Sequence, residues 1–415
     1  MKHMKIVIIL TLFILNVQAQ NSEFLFSTAD SLLKIKEYKH SAEKYLEGIK
    51  NEGSKTDLRR FRSALLASVK SGEMEQTFQI LKTLSTSDKI TKFELYNLEN
   101  SLDYNGFRSN PKWNSILDEI RKQAALNSYA QEELIYGRKD GLALTMIKIS
   151  PKVKSNGKAI ISVVSGNWFS GYNGIELSTT SMEQYLNKGY TVFGVVHGAN
   201  TRYAIPDIIS DIKRAVRFIR YNALKFAIDA DNIGITGGSS GGHLSLAVAM
   251  SNDSIQTQAI DPIDRVSSRV QAAAVYYPPT DLLNWGTTGQ NLVNANQLLK
   301  MRKVWGPFNF KVWNDGLGYY EEVTDENERS QIGKESSPIY FVTPDDPPIL
   351  ILHGTADPTV PIQQSKTFVE KLKEAGIPHN LIIKEGAKHN PNDFKEESPE
   401  MSKWFDTYLL KSKTK

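Results

Sequence analysis

The chain has 415 residues, 40% apolar and 23% charged, which is ordinary for a soluble globular protein and long enough for two domains, one with a substantial core. Lys and Arg number 50 against 46 Asp and Glu, a net charge of +4, and the two signs interleave along most of the chain, which argues against nucleic-acid or membrane-surface partners. Cysteine is absent, excluding disulfides, a thiol nucleophile, a lipid-modified N-terminal cysteine and thiolate metal sites.

Residues 1–19 read as a signal peptide. Lys2 and Lys5 supply a positive start, Ile6 to Leu15 is apolar but for Thr11, and Val17-Gln18-Ala19 resembles a cleavage site. The apolar run is short for a membrane anchor, so the expectation is an exported protein, secreted or periplasmic, with no membrane span after cleavage.

From about Glu23 to Gln123 apolar residues recur at three and four, as Leu32, Leu33 and Ile35, then Ala42, Tyr45, Leu46 and Ile49, then Leu65, Leu66 and Val69. Gly53 and Gly72 punctuate the run as turns. This predicts a helical domain over 20–125. Ala29 to Ile49, with small residues at Ala29 and Ala42 and aromatics at Tyr38 and Tyr45, resembles a tetratricopeptide helix hairpin, and Leu58 to Leu84 a looser second one. Two hairpins fall short of a solenoid, so a compact TPR-like domain is expected, available for protein contacts. Leu102 to Ile120, with Asn105-Gly106-Phe107-Arg108 and Pro111-Lys112-Trp113, resembles a segment that closes such domains.

Near Tyr136 the helical period is lost, and residues 126–415 are expected to form the second domain. Gly141 to Ser150 alternates weakly, with apolar residues on both faces, as a strand near a sheet edge would; Ala159 to Val164 reads as a strand buried on both faces. Strand and helix then alternate: strands at Tyr190 to Val196, Asn232 to Thr236, Ala272 to Tyr277, Pro348 to His353 and Asn380 to Lys384, with helices at Ile208 to Asn222, Gly241 to Ser251, Ile362 to Ala375 and Glu397 to Leu410. This alternation predicts an α/β fold with a mostly parallel, doubly wound sheet. An insert at about 283–335, rich in aromatics from Trp285 to Tyr320, is expected either to cap a pocket or to brace itself against the sheet.

The sharpest chemical signal is Gly237-Gly238-Ser239-Ser240-Gly241-Gly242-His243-Leu244, between the strand Ile233 to Thr236 and a helix of small and apolar residues. A strand-to-helix turn this tight strains its central residue, and flanking glycines let the neighbouring backbone close on it. The result is a serine hydroxyl held out beside a helix N-terminus, where a developing oxyanion is welcome. Gly238 to Gly242 also fits the pattern with Ser240 at its centre, so Ser239 is the preferred nucleophile and Ser240 the competitor.

Such a hydroxyl needs a base, and the base an orienting acid. His353, His379 and His389 lie beyond the elbow helix. His389 follows the strand Leu381 to Lys384, and Asp357 sits in the loop after Ile349 to Leu352, each at a strand's carboxyl end, where a doubly wound sheet gathers its site. Glu385 is a weaker acid candidate, Asp345 and Asp346 precede their strand, His379 begins one, and His353 is expected to be structural. The backbone of Ser240, with Gly166 or Asn167 in the loop after Ala159 to Val164, would supply oxyanion donors. Trp168 and Trp285 are the candidate substrate contacts.

Ala159 to Leu410 resembles the α/β-hydrolases of the BD-FAE-like and hormone-sensitive-lipase-like esterase group. The resemblance is carried by Gly237 to Leu244, Tyr276-Tyr277-Pro278-Pro279-Thr280-Asp281-Leu282, Ser337-Pro338 and the long run Pro347 to Pro361. It implies a carboxylic ester hydrolase acting on small-molecule or carbohydrate esters, without cofactor or metal, with Ser239 as nucleophile, Asp357 as acid and His389 as base. The chain departs from the group at the oxyanion loop, where a His-Gly-Gly-Gly-Trp type motif is replaced by Val164-Ser165-Gly166-Asn167-Trp168. A peptidase similar to the prolyl oligopeptidase group, and a catalytically inert binding protein, are the alternatives.

Overall fold

The computed structural model describes residues 21–172, 182–198, 202–251 and 255–409. The expected signal peptide lies outside them. Two compact units meet in sequence between Ser128 and Tyr129. Among the described residues no helix is long and apolar enough to cross a membrane.

The first unit is helical: α1 (21–34), α2 (Tyr38–Glu52), α3 (Leu58–Ser71), α4 (Met74–Leu84), α5 (Lys92–Asn100) and α6 (Pro111–Asn127). Its core combines small and large side chains. Ala29 and Ala42 are fully buried, and Gly48 leaves room for Phe26, whose ring lies 2.6 Å from where a Cβ at that glycine would stand. Asp57 caps α3 by accepting from the Arg59 N–H, and Gly72 closes it in a left-handed conformation, φ 76°. Ile35, part of the apolar period, is instead exposed in the turn after α1. Phe107 and Trp113 close the unit with ring centroids 5.6 Å apart.

The second unit runs β1 (Ala130–Lys139), β2 (Leu142–Ser150), β3 (Ala159–Val163), α7 (182–186), β4 (Thr191–Val195), α8 (Ile205–Tyr221), β5 (Ile233–Gly238), α9 (Ser240–Ala249), β6 (Ala272–Tyr276), α10 (Asn296–Met301), β7 (Lys311–Asn314), β8 (Tyr319–Glu322), α11 (Glu326–Glu335), β9 (Ile349–Gly354), α12 (Gln363–Glu374), β10 (His379–Lys384) and α13 (Ser398–Leu409). Eight strands form one sheet in the order β1-β2-β4-β3-β5-β6-β9-β10. The pairs β1·β2 and β2·β4 are antiparallel; the other five are parallel. This is the α/β-hydrolase architecture.

Alternation along the central strands loads both faces. In β9, Ile349 and Ile351 join the core under α8, α9 and α12, while Leu350 and Leu352 join the core under α7 and α13. Gly234 in β5 admits the Phe405 ring of α13, which lies 2.5 Å from where its Cβ would be. The weak alternation of β2 has the same origin: Leu144 and Met146 belong to one core, Ile149 to the other. Strand β1 was not foreseen. Only Leu134 and Tyr136 are buried along it, too few inward residues to mark a strand in a segment of charge and polarity.

The insert lines no part of the cleft described below among the described residues. Phe308 and Phe310 are buried in the main core, and Trp285 and Trp305 lean on it. Buried Arg329 ties the insert together through the carbonyls of Val323, Val293 and Phe308 at 3.2, 2.5 and 3.0 Å. Of the two possibilities left open for these aromatics, bracing is what the core positions adopt. Trp313, Tyr319 and Tyr320 stand apart, exposed on the β7–β8 hairpin.

Candidate active site

Five segments leave the carboxyl ends of parallel strands and border one cleft, the usual place for a site on such a sheet. The first is the turn after β5. Ser239 adopts φ 56° and ψ −125°, a conformation that L-residues rarely take. Two glycines make this possible: a Cβ on Gly237 would stand 2.5 Å from the Gly241 backbone, and one on Gly241 would stand 2.6 Å from the Val163 carbonyl oxygen. The Ser239 N–H donates to Tyr276 O at 3.0 Å and the His243 N–H to Ser239 O at 2.9 Å, fixing the turn between sheet and helix.

His389 reaches this serine from the turn after β10. That turn is clamped to the loop after β9 by hydrogen bonds from the Ala356 N–H to Ala387 O (3.1 Å) and from the Gly386 N–H to Thr355 Oγ1 (2.9 Å). Gly354 admits the close approach, since a Cβ there would stand 2.1 Å from Ala387 O. His389 Nε2 lies 2.9 Å from Ser239 Oγ and Nδ1 lies 2.7 Å from Asp357 Oδ2. An ionised carboxylate only accepts, so Nδ1 carries the proton and Nε2 presents its lone pair to the serine hydroxyl.

Asp357 is fully buried at its side chain. Burial alone would raise its carboxyl pKa, but hydrogen bonding to His353 and His389 and to the N–H groups of Val360 and Thr359 outweighs burial and holds it well below the usual carboxylate range. His353 sits behind it: Nδ1 is 2.7 Å from Ser365 Oγ, and Nε2 is 3.0 Å from Val360 O and 3.5 Å from Asp357 Oδ2. It is thus a buttress for the acid, remote from the serine. The other candidates lie elsewhere. Glu385 is exposed, Asp345 is paired with Arg269 at 2.8 Å, and His379 begins β10 against Ile377 O.

Tyr277, whose role the sequence did not suggest, lies with its ring centroid 4.2 Å from that of His389. The ring packs against the imidazole, where its π density would favour an imidazolium. Its place after β6, in the Tyr276-Tyr277-Pro278 run, was the available signal.

The expected oxyanion donors divide. Ser240 opens α9, so its N–H has no intrahelical acceptor and lies beside Ser239. Asn167 lines the cleft with φ 52°. Gly166 is a correction: its N–H donates to Phe169 O at 2.9 Å, while the Phe169 N–H returns to Gly166 O at 2.8 Å, so the loop folds on itself and commits that donor.

Both proposed substrate contacts are corrected as well. Trp168, with φ 58°, turns into the core, where its Nε1–H donates to His243 Nδ1 at 3.1 Å and its ring meets Phe308 edge-on. Trp285 leans on the main core, away from the cleft. Of the aromatic residues that line it, Tyr185, Tyr276 and Tyr277 are buried, and Phe169, 47% exposed, and Tyr172, 40% exposed, stand open to solvent.

Burial pushes His243 and His197 down to about 4, against the opposing hydrogen bonds to Ser336 O and Gly198 O. An unfolded imidazole titrates near 6.5, so between about 6.5 and 4 the unfolded chain binds more protons than the folded one. Stability is therefore expected to fall as pH drops through that window, by up to about 3 kcal/mol per ring. Urea midpoints at neutral and mildly acidic pH check this; unchanged midpoints would contradict it.

The sheet order, the strained serine turn and the strand-end loops define an α/β-hydrolase. The chain belongs to the BD-FAE family, whose model matches residues 146–372. It is 32% identical over 197 residues to the esterase LipQ of Mycobacterium tuberculosis, covering 47% of this chain and 41% of that protein. To the probable carboxylic ester hydrolase LipM of the same organism it is 27% identical over 215 residues, 52% of this chain and 44% of the relative. The chain thus spans less than half the length of these curated relatives. Among solved structures, a truncated carbohydrate esterase from gut microbiota superposes with a TM-score of 0.56 at 26% identity, over 68% of this chain and 98% of that one.

Proposed function

We propose that this chain is an exported serine esterase that hydrolyses carboxylic esters, acetyl or feruloyl esters on carbohydrate among them. The observation that carries the reading is the unbroken hydrogen-bonded run from Ser239 through His389 to Asp357. Ser239 Oγ attacks the ester carbonyl carbon while its proton passes to His389 Nε2, and Asp357 stabilises the imidazolium. The carbonyl oxygen takes up the negative charge against the Ser240 N–H and the Asn167 backbone. Collapse breaks the bond to the alcohol, which leaves with the proton from Nε2. Water, activated by the same imidazole, then releases the acid and restores Ser239.

The carbohydrate part of the proposal draws on the carbohydrate esterase likeness and on the cleft itself, where Phe169 and Tyr172 can stack on a sugar or aryl ring and Gln184 and Asn392 can meet hydroxyls. Export rests on residues 1–19 and is checked by the first residue of the mature protein. An organophosphonate is expected to label the wild type at Ser239 and to leave Ser239→Ala unlabelled; persistent labelling of that variant would sink the assignment. Aryl acetates should be cleaved in preference to aminoacyl amides, and a series of nitrophenyl esters of increasing acyl length would define the acyl pocket.

A further inference from the structure

Behind the serine turn lies a second hydrogen-bonded chain, which the proposed ester chemistry does not use. Ser240 Oγ is 3.1 Å from Ser165 Oγ, Ser165 Oγ is 2.9 Å from His197 Nε2, and His197 Nδ1 is 2.8 Å from Gly198 O. A carbonyl only accepts, so the His197 proton sits on Nδ1. The ring is buried and neutral, which leaves Nε2 as a lone pair able only to accept the Ser165 hydroxyl. Ser165 Oγ, its own hydrogen spent, then receives the Ser240 hydroxyl. One carbonyl thus orders every proton in the chain.

His197 also holds the loop from its main chain. Its N–H donates to Ser170 Oγ at 3.2 Å, and the Ser170 hydroxyl donates to Val164 O. Ring and backbone of one residue therefore grip both ends of the segment 165–170, whose middle is closed by the Gly166–Phe169 pair. The grip is itself anchored. The Gly198 N–H donates to Asp211 Oδ2 at 3.0 Å, and Lys139 Nζ lies 3.0 Å from Asp211 Oδ1. Asp211 and His197 are both buried, so the arrangement cannot relax by exchanging its partners for water without cost.

We propose that His197 is a positioning residue for ester hydrolysis, fixing the loop 165–170 through Ser165 against the first turn of α9, so that the Asn167 backbone and the Ser240 N–H converge on the oxyanion. In this chain, whose loop lacks the His-Gly-Gly-Gly-Trp type motif, the brace comes from the segment that follows the neighbouring strand β4 instead. The proposal rests on the esterase reading. It places the effect of His197 in the transition state, since the carbonyl oxygen becomes an oxyanion only there.

The test is steady-state kinetics on nitrophenyl acetate with the full chain carrying His197→Leu, Ser165→Ala, both together, or His197→Gln. The melting temperature of each preparation establishes that it is folded. The first two variants are expected to lower kcat on the order of 10- to 100-fold with KM changed less than roughly threefold, the signature of a misplaced oxyanion loop. Because both act through one chain, the double variant should lose no more than the worse single one. His197→Gln, whose amide oxygen can accept the Ser165 hydroxyl, should recover most of the loss, and the pH profile of kcat/KM should keep its wild-type acid limb in all of them. Wild-type kcat in Ser165→Ala, or losses that multiply in the double variant, would overturn the proposal. Should His197→Leu not fold, Ser165→Ala and His197→Gln still decide it. Activity surviving in Ser239→Ala would instead defeat the assignment of Ser239 as nucleophile, on which the proposed mechanism rests.

Discussion

Alanine at Ser239 is expected to lower kcat on a nitrophenyl ester by about 10⁶-fold, while alanine at Ser240 should cost no more than roughly 100-fold. Either serine satisfies the glycine-rich pattern, but only Ser239 has the left-handed φ of 56° and an imidazole nitrogen 2.9 Å from its hydroxyl. The Ser240 hydroxyl is directed at Ser165, away from His389. Alanine at position 240 keeps the backbone N–H and removes only the brace, so its loss is bounded by the geometry of the oxyanion loop. The reverse ranking of the two variants, measured side by side, would show that the register of the turn had been misassigned.

Replacing Asp357 with asparagine should lower kcat by about 10⁴-fold, with the protein still folded at neutral pH. Asparagine can keep the bonds from the Thr359 and Val360 N–H groups by turning its carbonyl oxygen toward them. Its NH₂ then faces His389 Nδ1 and selects the tautomer with the proton on Nε2, where it cannot accept from Ser239. The folded-state pKa of Asp357 lies well below its unfolded value, so its ionisation stabilises the protein above the ordinary carboxylate range and that contribution is lost as pH falls below it. The variant should therefore show a shallower loss of stability in strong acid than the wild type. A kcat within tenfold of wild type would mean that His389 is oriented by some other group.

The serine turn was legible because its constraint is local: a positive φ between a strand and a helix demands glycines at fixed offsets, and Gly237 and Gly241 stand where the backbone crowds. Asp357 and His389 were legible because strand ends can be counted. What escaped were directions and distant partners. Nothing in Val164-Ser165-Gly166-Asn167-Trp168 announces that the left-handed residues Asn167 and Trp168 rotate the indole into the core and leave Phe169 at the cleft. His197 gives no local sign of its role, because the hydroxyl it orders belongs to a residue 32 positions earlier. Strand β1 was lost between a few inward side chains and many charges, its place set by pairing with β2 and not by its own pattern.

The residues joined at the serine are 150 positions apart, and the second of them follows β10, which ends the sheet and, among the described residues, pairs only with β9. That last strand carries no fully buried residue: its Leu381 and Ile382 only lean on the two cores, and its carboxyl end is tied to the acid's loop. A molecule whose edge has frayed would keep nearly all of its buried surface yet lack a base. With His389 as the base, hydrolytic competence would be gated by the docking of a single peripheral strand, and inactivation under mild denaturant should precede global unfolding.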